Sequence, residues 1–302
     1  MEPTKWIWMN GAFIPWSEAK VHVLSHGLHY GSSIFEGLRA YKTERGTAIF
    51  RLREHMDRFH YSAQAIQMKI PYSSEELSKI TCELLKRNNI EACYIRPHAA
   101  FGYGVMGLNP AAAPVDVTIA CWPWGAYLPI ESANIKVSKF IRIHPRSTIS
   151  DAKIGGHYVN SIMAVQEVQG THYHEALFLD YEGNIAEGPG ANFFIIKEKE
   201  IFTPPLGMIL PGITRASVME IARDQGFKVT EKPLTVADAQ DADEAFFTGT
   251  AAEMTPIGTI DDKPLRVAAP GPITKVLKAA YLDAAYGRSP QYSKFLTFIH
   301  SS

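Results

Sequence analysis

The sequence predicts an α/β (α+β) protein with two domains. Strand patterns and helix patterns alternate along both halves of the chain, which is typical of sheets covered by helices. Two prolines and a glycine fall within residues 123–129, between one strand pattern and the next. We therefore predict a first domain at 1–122, a linker at 123–133 and a second domain at 134–302. The length of 302 residues fits two domains of ordinary size.

The strongest local signal is the dipeptide Asn10-Gly11 between two apolar runs, which predicts a β-hairpin. Residues with helical spacing predict several helices, and residues with strand character predict several strands. The predicted helices are 51–67, 73–87, 213–225 and 273–284, and the predicted strands are 92–97, 116–122, 135–137, 175–180, 191–196 and 245–247. A turn at 182–184 is predicted to join the strands on either side of it into a hairpin.

Composition excludes several classes of protein. The formal net charge is -1 and charged residues make up 20%, so no basic face for nucleic acid or an anionic membrane is expected. No run approaches ~18 apolar residues, so we expect no membrane span and no signal peptide. Cys82, Cys93 and Cys121 have no CxxC spacing, which favours reduced thiols and a cytoplasmic protein.

Two motifs resemble functional sites, but the residues around them argue against that interpretation. His22, His26 and His29 have a spacing that would suit a metal on a helix, but three glycines interrupt the segment, so we expect no metal. Residues 102–107 match GxGxxG. A dinucleotide fingerprint must open a helix, however, and Asn109-Pro110 follows at once, so a loop is predicted instead.

The most informative stretch contains Lys153 followed by Gly155 and Gly156, just before an apolar helical run. Glycines allow sharp turns and close approach of the backbone to another group. A lysine held at such a place can form a Schiff base with a carbonyl compound. The alternative is a surface lysine beside a turn.

Three further side chains are candidates for binding. Tyr94 and Arg96 share one face of a predicted strand, which suits carboxylate recognition, although a surface cross-strand pair would look the same. Glu187 precedes a rigid Gly-Pro-Gly corner that would hold its carboxylate in place. The alternative is a solvated loop glutamate.

Two glycine/threonine turns could bind an anion. Ile213 and Thr214 open a predicted helix, where backbone N–H groups and the helix dipole favour negative charge. Gly249 and Thr250 follow a predicted strand and offer similar donors. One such turn could simply be the capped start of a helix. Two such turns together with a lysine suggest a phosphate-binding site.

The sequence resembles the fold-type-IV family of pyridoxal-phosphate enzymes, and most closely its branched-chain amino-acid aminotransferases. The resemblance covers about residues 6–285, and seven segments in the same order make it specific. These segments are 26–31 with 35–37, 53–58, 94–97, 153–158, 187–192, 210–215 and 249–253. The resemblance implies a small α/β domain followed by a larger pseudo-barrel domain, which binds pyridoxal 5'-phosphate, and a homodimer or a dimer-based higher oligomer.

The resemblance also implies roles at the cofactor. Lys153 would form the Schiff base and act as the base for the substrate α-proton. Glu187 would pair with the pyridine nitrogen and Tyr158 with the phenolic oxygen. The phosphate ligands would be Arg58, Ile213, Thr214 and Thr250.

The implied substrates are small amino and keto acids: leucine, isoleucine, valine and 2-oxoglutarate. Tyr94 and the Gly249-Thr250-Ala251 turn would bind the α-carboxylate, and Arg96 would bind the side-chain carboxylate of glutamate. The apolar pocket would consist of Phe35, Trp124 and Tyr127, with Tyr30 and Met106 reaching it across a dimer contact.

Three departures from the family pattern lie near the implied site: His157, where bacterial relatives tend to have asparagine, Pro189, and the segment 101–103. They leave alternatives open within the family, namely D-amino-acid transaminase, (R)-amine transaminase and aminodeoxychorismate lyase. A non-catalytic metal- or ligand-binding protein that uses the histidines is the alternative from another class.

Overall fold

The computed structural model describes residues 2–125 and 130–299. Its strands are β1 Trp6–Met9, β2 Ala12–Pro15, β3 Ser33–Phe35, β4 Leu38–Thr43, β5 Gly46–Phe50, β6 Cys93–Phe101, β7 Val115–Trp122, β8 Ala133–Ile141, β9 Glu175–Leu179, β10 Asn192–Lys197, β11 Glu200–Thr203, β12 Val229–Glu231, β13 Glu244–Gly249, β14 Glu253–Ile260, β15 Lys263–Pro264 and β16 Leu296–Phe298. Its α-helices are α1 His26–Tyr30, α2 Leu52–Ala65, α3 Ser74–Asn88, α4 Tyr158–Val168, α5 Ile213–Asp224, α6 Val236–Gln240 and α7 Pro272–Ala285. The predicted α+β class is confirmed.

The chain divides into two compact units. The first unit comprises Met1–Gly125, Ala152–Gly156 and Asp283–Ser302, and the second comprises Ala126–Asp151 and His157–Leu282. The predicted linker at 123–133 stays a prediction, because residues 126–129 lie outside the described residues. The short segment around Lys153 therefore packs with the first unit, although most of its neighbours in sequence belong to the second.

In the first unit, the strands form one sheet in the order β16-β5-β4-β6-β7-β1-β2, with β3 paired to β6. Ile95, Ala99 and Phe101 of β6 are buried in the core. Because strand side chains alternate between faces, Tyr94, Arg96 and His98 lie on the other face of this strand. The sheet therefore separates a packed apolar face from a face that carries polar groups.

In the second unit, a mixed sheet has the order β12-β11-β10-β13-β14-β8-β9, with β15 paired to β14. β8 and β9 run parallel, whereas β10, β13 and β14 pair antiparallel. The central strands are apolar on both faces, and Phe193, Phe247 and Ile257 are fully buried among them. The loops that leave this rigid sheet contain the functional candidates of the unit.

Most predicted elements are confirmed within a few residues, and one local prediction is wrong. The hairpin at Asn10-Gly11 joins β1 to β2, and α3 begins with a capping box formed by Ser73 and Glu76. The glycines argued against a helix at His26, but a short helix, α1, forms there. The predicted hairpin turn at 182–184 is present, because Leu179 and Ile185 form an antiparallel bridge across it and the Asp180 N–H donates to the Asn184 carbonyl at 2.7 Å. The next strand, β10, pairs with β11 and β13.

Within the described ranges, none of the helices is long and apolar enough to cross a membrane.

Candidate active site

The backbone of Lys153 is held on both sides within the first unit. Its N–H donates to the hydroxyl of Ser62 on α2 at 2.9 Å, and its carbonyl accepts from the Phe35 N–H at 3.2 Å. Ile34 and Ile154 form a bridge beside this contact. The lysine is half-buried, and its Nζ lies 4.9 Å from the centre of the Phe35 ring. A surface lysine beside a turn would not have these anchors.

The glycine pair after the lysine permits close contact with another part of the same unit. A Cβ on Gly155 would lie 2.2 Å from the Ser33 hydroxyl, and one on Gly156 would lie 3.1 Å from the Gly31 carbonyl. The Gly156 N–H donates to that carbonyl at 3.0 Å. The predicted close approach is therefore present: the glycine pair lies directly against Gly31 and Ser33.

Arg58 belongs to a buried cluster with Glu36 and His55. Its Nε and one terminal nitrogen donate to the two oxygens of Glu36 at 2.6 and 2.9 Å, which is a bidentate pair. His55 Nδ1 lies 2.7 Å from the same carboxylate, and Glu36 is 0% exposed. Burial raises the pKa of Glu36, but the charges of Arg58 and His55 outweigh it and hold this pKa well below its usual range. Burial also lowers the pKa of His55.

The polar face of β6 brings the predicted substrate residues together. Arg96 donates to the Tyr94 hydroxyl at 2.9 Å, and its guanidinium lies 4.6 Å from the Phe35 ring centre. The Tyr94 ring packs edge-on against Trp124 at 4.5 Å. A Cβ on Gly37 would lie 1.9 Å from the Tyr94 hydroxyl, so a glycine is required there. Phe35 is therefore flanked by the cationic groups of Lys153 and Arg96.

The other predicted pocket residues are placed differently. Tyr30 is 43% exposed, and its hydroxyl accepts from the Gly107 N–H at 3.2 Å. Met106, next to Gly107, is 48% exposed. Both side chains lie on the surface of the first unit, and neither lines the β6 face within it. Tyr127 lies outside the described residues.

In the second unit, Glu187 is buried and accepts three kinds of N–H donor. Arg142 Nε lies 2.6 Å from Oε1, and Asn192 Nδ2 lies 3.0 Å from Oε2. The Leu210 N–H lies 3.2 Å from both oxygens. Glu187 is only 6% exposed, so the solvated-loop alternative is wrong.

Three loops of the second unit converge near Glu187. Asn192 links two of them, because its amide donates both to Glu187 and to the Leu210 carbonyl. A Cβ on Gly212 would lie 1.8 Å from the Asn192 side chain, and one on Gly249 would lie 3.1 Å from the Gly190 carbonyl. Segments 187–192, 210–214 and 249–252 are thus packed closely together.

Helix α5 begins in this group of loops. Gly212 is its N-cap and no side chain caps it, so the N–H groups of Ile213 and Thr214 have no acceptor within the helix. Both residues are buried. Thr250 and Ala251 form the turn between β13 and β14. Tyr158 is half-buried and opens α4.

The histidines have separate partners. His26 contacts the Ser32 hydroxyl at 2.6 Å and the Gly107 carbonyl at 2.7 Å, and His29 contacts the Val23 carbonyl at 2.9 Å. Within residues 2–125 and 130–299, no group of three or more His, Cys, Asp or Glu side chains is arranged to hold a metal ion.

Comparison with known families assigns the chain. The sequence profile of the family "Amino-transferase class IV" matches residues 33–260. This range includes most of the groups described above, from Ser33 to the end of β14.

The chain belongs to the class IV aminotransferases.

Relatives of this family match over almost the whole chain. Branched-chain-amino-acid aminotransferases of Pseudomonas aeruginosa and Escherichia coli are 43% and 40% identical, over 97% and 94% of both sequences. The crystal structure of the T.th. branched-chain amino acid aminotransferase complexed with N-(5'-phosphopyridoxyl)-L-glutamate has a TM-score of 0.95 at 45% identity, covering 98% of this chain and 99% of that one. The enzyme of Thermoproteus uzoniensis with norvaline also has a TM-score of 0.95, at 40% identity, covering 98% of this chain and 100% of that one.

Sequence reasoning missed three residues that contact the candidate groups within their own units. Arg142 is the ion-pair partner of Glu187, Ser62 holds the Lys153 backbone, and His55 contacts the Glu36–Arg58 pair. Ser62 follows Arg58 by four residues, so both lie on one face of α2. That spacing was a usable signal, whereas nothing in the local sequence marks Arg142.

We predict that Glu36→Gln destabilises the protein by about 3–5 kcal/mol, because it leaves the buried Arg58 guanidinium without its counter-charge. Urea unfolding at a fixed protein concentration measures the free energy. Glu91→Gln is the matched control, since Glu91 pairs with Lys42 on the surface and such pairs contribute little. A Glu36→Gln variant as stable as the control would contradict a structural role for the buried pair.

The second prediction concerns pH. Burial and then the Arg96 charge lower the pKa of His98 to about 4, although Asp116 raises it. Between about pH 6.5 and pH 4 the unfolded chain therefore binds a proton that the folded chain does not, and stability falls as the pH falls. His98→Gln should remove this contribution, about 1.4 kcal/mol per pH unit within the window. The measurement is the stability difference between variant and wild type at pH 7 and pH 5. A difference that is the same at both pH values would show that only packing had changed.

Proposed function

We propose that the chain is a pyridoxal-phosphate-dependent transaminase that moves the amino group between leucine, isoleucine or valine and 2-oxoglutarate. The near full-length relatives that bear the branched-chain name support this proposal. The structural observation that carries it is the anchoring of Lys153, whose backbone is fixed on both sides and whose Nζ lies over the Phe35 ring. A lysine that is to react with a carbonyl needs such a defined position.

The residues present fit pyridoxal phosphate. A phosphate needs N–H donors, and the uncapped start of α5 and the Arg58 guanidinium supply them. A pyridine ring needs a fixed acceptor, and the buried Glu187 carboxylate is one. Gly212 and Gly249 allow their segments to pack closely against Asn192 and Gly190 beside this carboxylate.

When bound, the cofactor supplies an electron sink for the substrate amine. Lys153 would bind its aldehyde carbon and would then take the proton from the substrate α-carbon. Glu187 would accept a hydrogen bond from the ring nitrogen, and Tyr158 would hydrogen-bond the phenolic oxygen. Arg58, together with Ile213, Thr214 and Thr250, binds the phosphate.

For the substrate, Tyr94 and the turn of Gly249, Thr250 and Ala251 bind the α-carboxylate. Arg96 binds the second carboxylate of glutamate or 2-oxoglutarate through its guanidinium fork. Phe35, Trp124 and Tyr127, with Tyr30, enclose the apolar side chain. The hydrogen bond between Arg96 and Tyr94 supports a shared role of these two residues in binding the substrate.

Tyr30 and Met106 suggest a second copy of the chain as partner. They lie on a surface with Val23, Leu28 and Leu108, of which Leu108 is 89% exposed. Such an apolar surface is unusual on a monomer. We assign it to a homodimer, or to a higher oligomer of dimers, in which Tyr30 and Met106 reach the pocket of the other copy.

Small amino and keto acids are then the remaining partners, and no nucleic acid or membrane partner is proposed. The cytoplasm is the proposed compartment, in keeping with three free cysteines.

A substrate panel tests the activity. The purified protein should carry cofactor absorbance that L-leucine discharges and D-alanine does not, and 2-oxoglutarate should restore it. Discharge by D-alanine or by an (R)-amine would favour another member of the family, and a colourless, metal-requiring protein would favour the histidine alternative.

In the same assay Lys153→Ala should reduce turnover at least about 10⁴-fold while leaving the thermal midpoint unchanged, because it removes the group that reacts. Lys86→Ala, at an exposed position, is the matched control. Near-normal transamination by Lys153→Ala would refute the lysine assignment.

The oligomer has its own test. Sedimentation should give at least twice the chain mass of 33.5 kDa. Leu28→Arg combined with Leu108→Arg should lower the mass toward one chain, because two buried charges oppose association. Leu206→Arg is the control, since Leu206 is an exposed leucine of the second unit. If the dimer persists in the double variant but dissociates in Leu206→Arg, the interface lies elsewhere.

A further inference from the structure

The ion pair between Arg142 and Glu187 is unusually well enclosed. Arg142 Nε lies 2.6 Å from Glu187 Oε1, and the two side chains are 12% and 7% exposed. A terminal nitrogen of the same guanidinium donates to the Ser150 carbonyl at 2.9 Å. The arginine thus has two fixed acceptors, and the carboxylate has a cation at a fixed distance.

Strand β9 sets the positions of both residues. The Arg142 N–H donates to the Leu179 carbonyl at 2.8 Å, and the Phe178 N–H donates to the Glu187 carbonyl at 2.8 Å. Leu179 and Phe178 are neighbours on this strand. Because β9 lies in the buried sheet, the Arg142–Glu187 distance is fixed by the fold before any ligand binds.

The donors that contact the carboxylate favour its charged form. Arg142 contributes a full positive charge, and the Asn192 amide nitrogen and the Leu210 N–H are donors only. A neutral carboxyl group would have to give up one of these acceptor positions to hold its own proton.

We propose that Arg142 is a positioning residue of the reaction: it keeps the Glu187 carboxylate charged and aimed, so that the proton shared with the cofactor nitrogen stays on the nitrogen. This inference rests on the proposed function and adds a residue to it. Without Arg142, Glu187 would be a nearly buried carboxyl group without a counter-charge, and it would take the proton itself. The ring would then be a weaker electron acceptor, and Lys153 could not remove the α-proton efficiently.

The experiment compares wild type, Arg142→Gln, Arg142→Lys and Arg146→Gln. Arg146 is an exposed arginine four residues further along the same loop and is the matched control. Each holoenzyme is loaded with pyridoxal phosphate labelled with ¹⁵N in the ring, and the ¹⁵N chemical shift reports whether the nitrogen carries a proton. The rate of the half-reaction with L-leucine is measured as a function of pH on the same samples.

In Arg142→Gln we expect the ring resonance to move toward the unprotonated value at neutral pH, and the half-reaction to slow at least about 10-fold. Arg142→Lys keeps the positive charge, so its ¹⁵N shift should be close to that of wild type. Its half-reaction should be slower than that of wild type but faster than that of Arg142→Gln, because one ammonium group cannot contact both Glu187 and Ser150 as a guanidinium does. Arg146→Gln should match wild type in both measurements.

Three results would overturn the inference. One is a protonated ring in Arg142→Gln. The second is a rate within twofold of wild type. The third is a loss of rate and thermal stability in both Arg142 variants with no change in the ring signal, which would indicate a structural role only.

If Arg142→Gln does not fold, the Arg142→Lys spectrum and pH profile decide the question. Failure of the wild-type protein to bind pyridoxal phosphate or to react with L-leucine would refute the proposed function instead, and the wild-type sample shows this separately.

Discussion

The two buried arginine–carboxylate pairs are the constraint on which the rest of the site depends. A charge removed from water costs several kcal/mol unless a partner and further hydrogen bonds compensate for it. Glu36 is compensated by Arg58 and His55, and Glu187 by Arg142 together with two N–H donors. Each pair must therefore form whenever its unit folds. Arg58 and Glu187, the members of the pairs proposed to meet the cofactor, are fixed in direction before binding, which reduces the entropy cost of binding.

The two pairs use their charges in opposite ways. In the Glu36–Arg58 pair, Arg58 is proposed to contact the cofactor phosphate. Its bidentate contact with Glu36 already neutralises its charge. Burial lowers the pKa of His55, although the Glu36 carboxylate beside it acts in the opposite direction. Affinity for phosphate must then come from directed N–H groups as well as from net charge, which is how Ile213 and Thr214 would contribute. In the second pair, the anion is proposed to meet the ligand, and the Arg142 guanidinium lies 2.6 Å from it.

The sequence was sufficient for residues whose role depends on near neighbours. Lys153 with its glycines, the helix start at Ile213 and the alternation of Tyr94 and Arg96 all follow from local periodicity and turn chemistry, and the structure has each element. Arg142 could not be found this way, because its partner is 45 positions away and no motif surrounds it. The pairing of β10 with β11 and β13 could not be found locally either, because strand order is a long-range property, determined by how the second sheet packs.

The β6 face shows how one pocket can serve both kinds of proposed substrate. The Lys153 ammonium and the Arg96 guanidinium lie 4.9 and 4.6 Å from the centre of the same Phe35 ring. The ring attracts both cations through its quadrupole and still offers apolar area to an aliphatic side chain. His98, opposite Phe35 in the β3–β6 register, has its pKa lowered to about 4 and adds no third charge at neutral pH. If the proposed roles hold, the side chain of leucine would lie against Phe35, and the carboxylate of the longer glutamate side chain would meet Arg96.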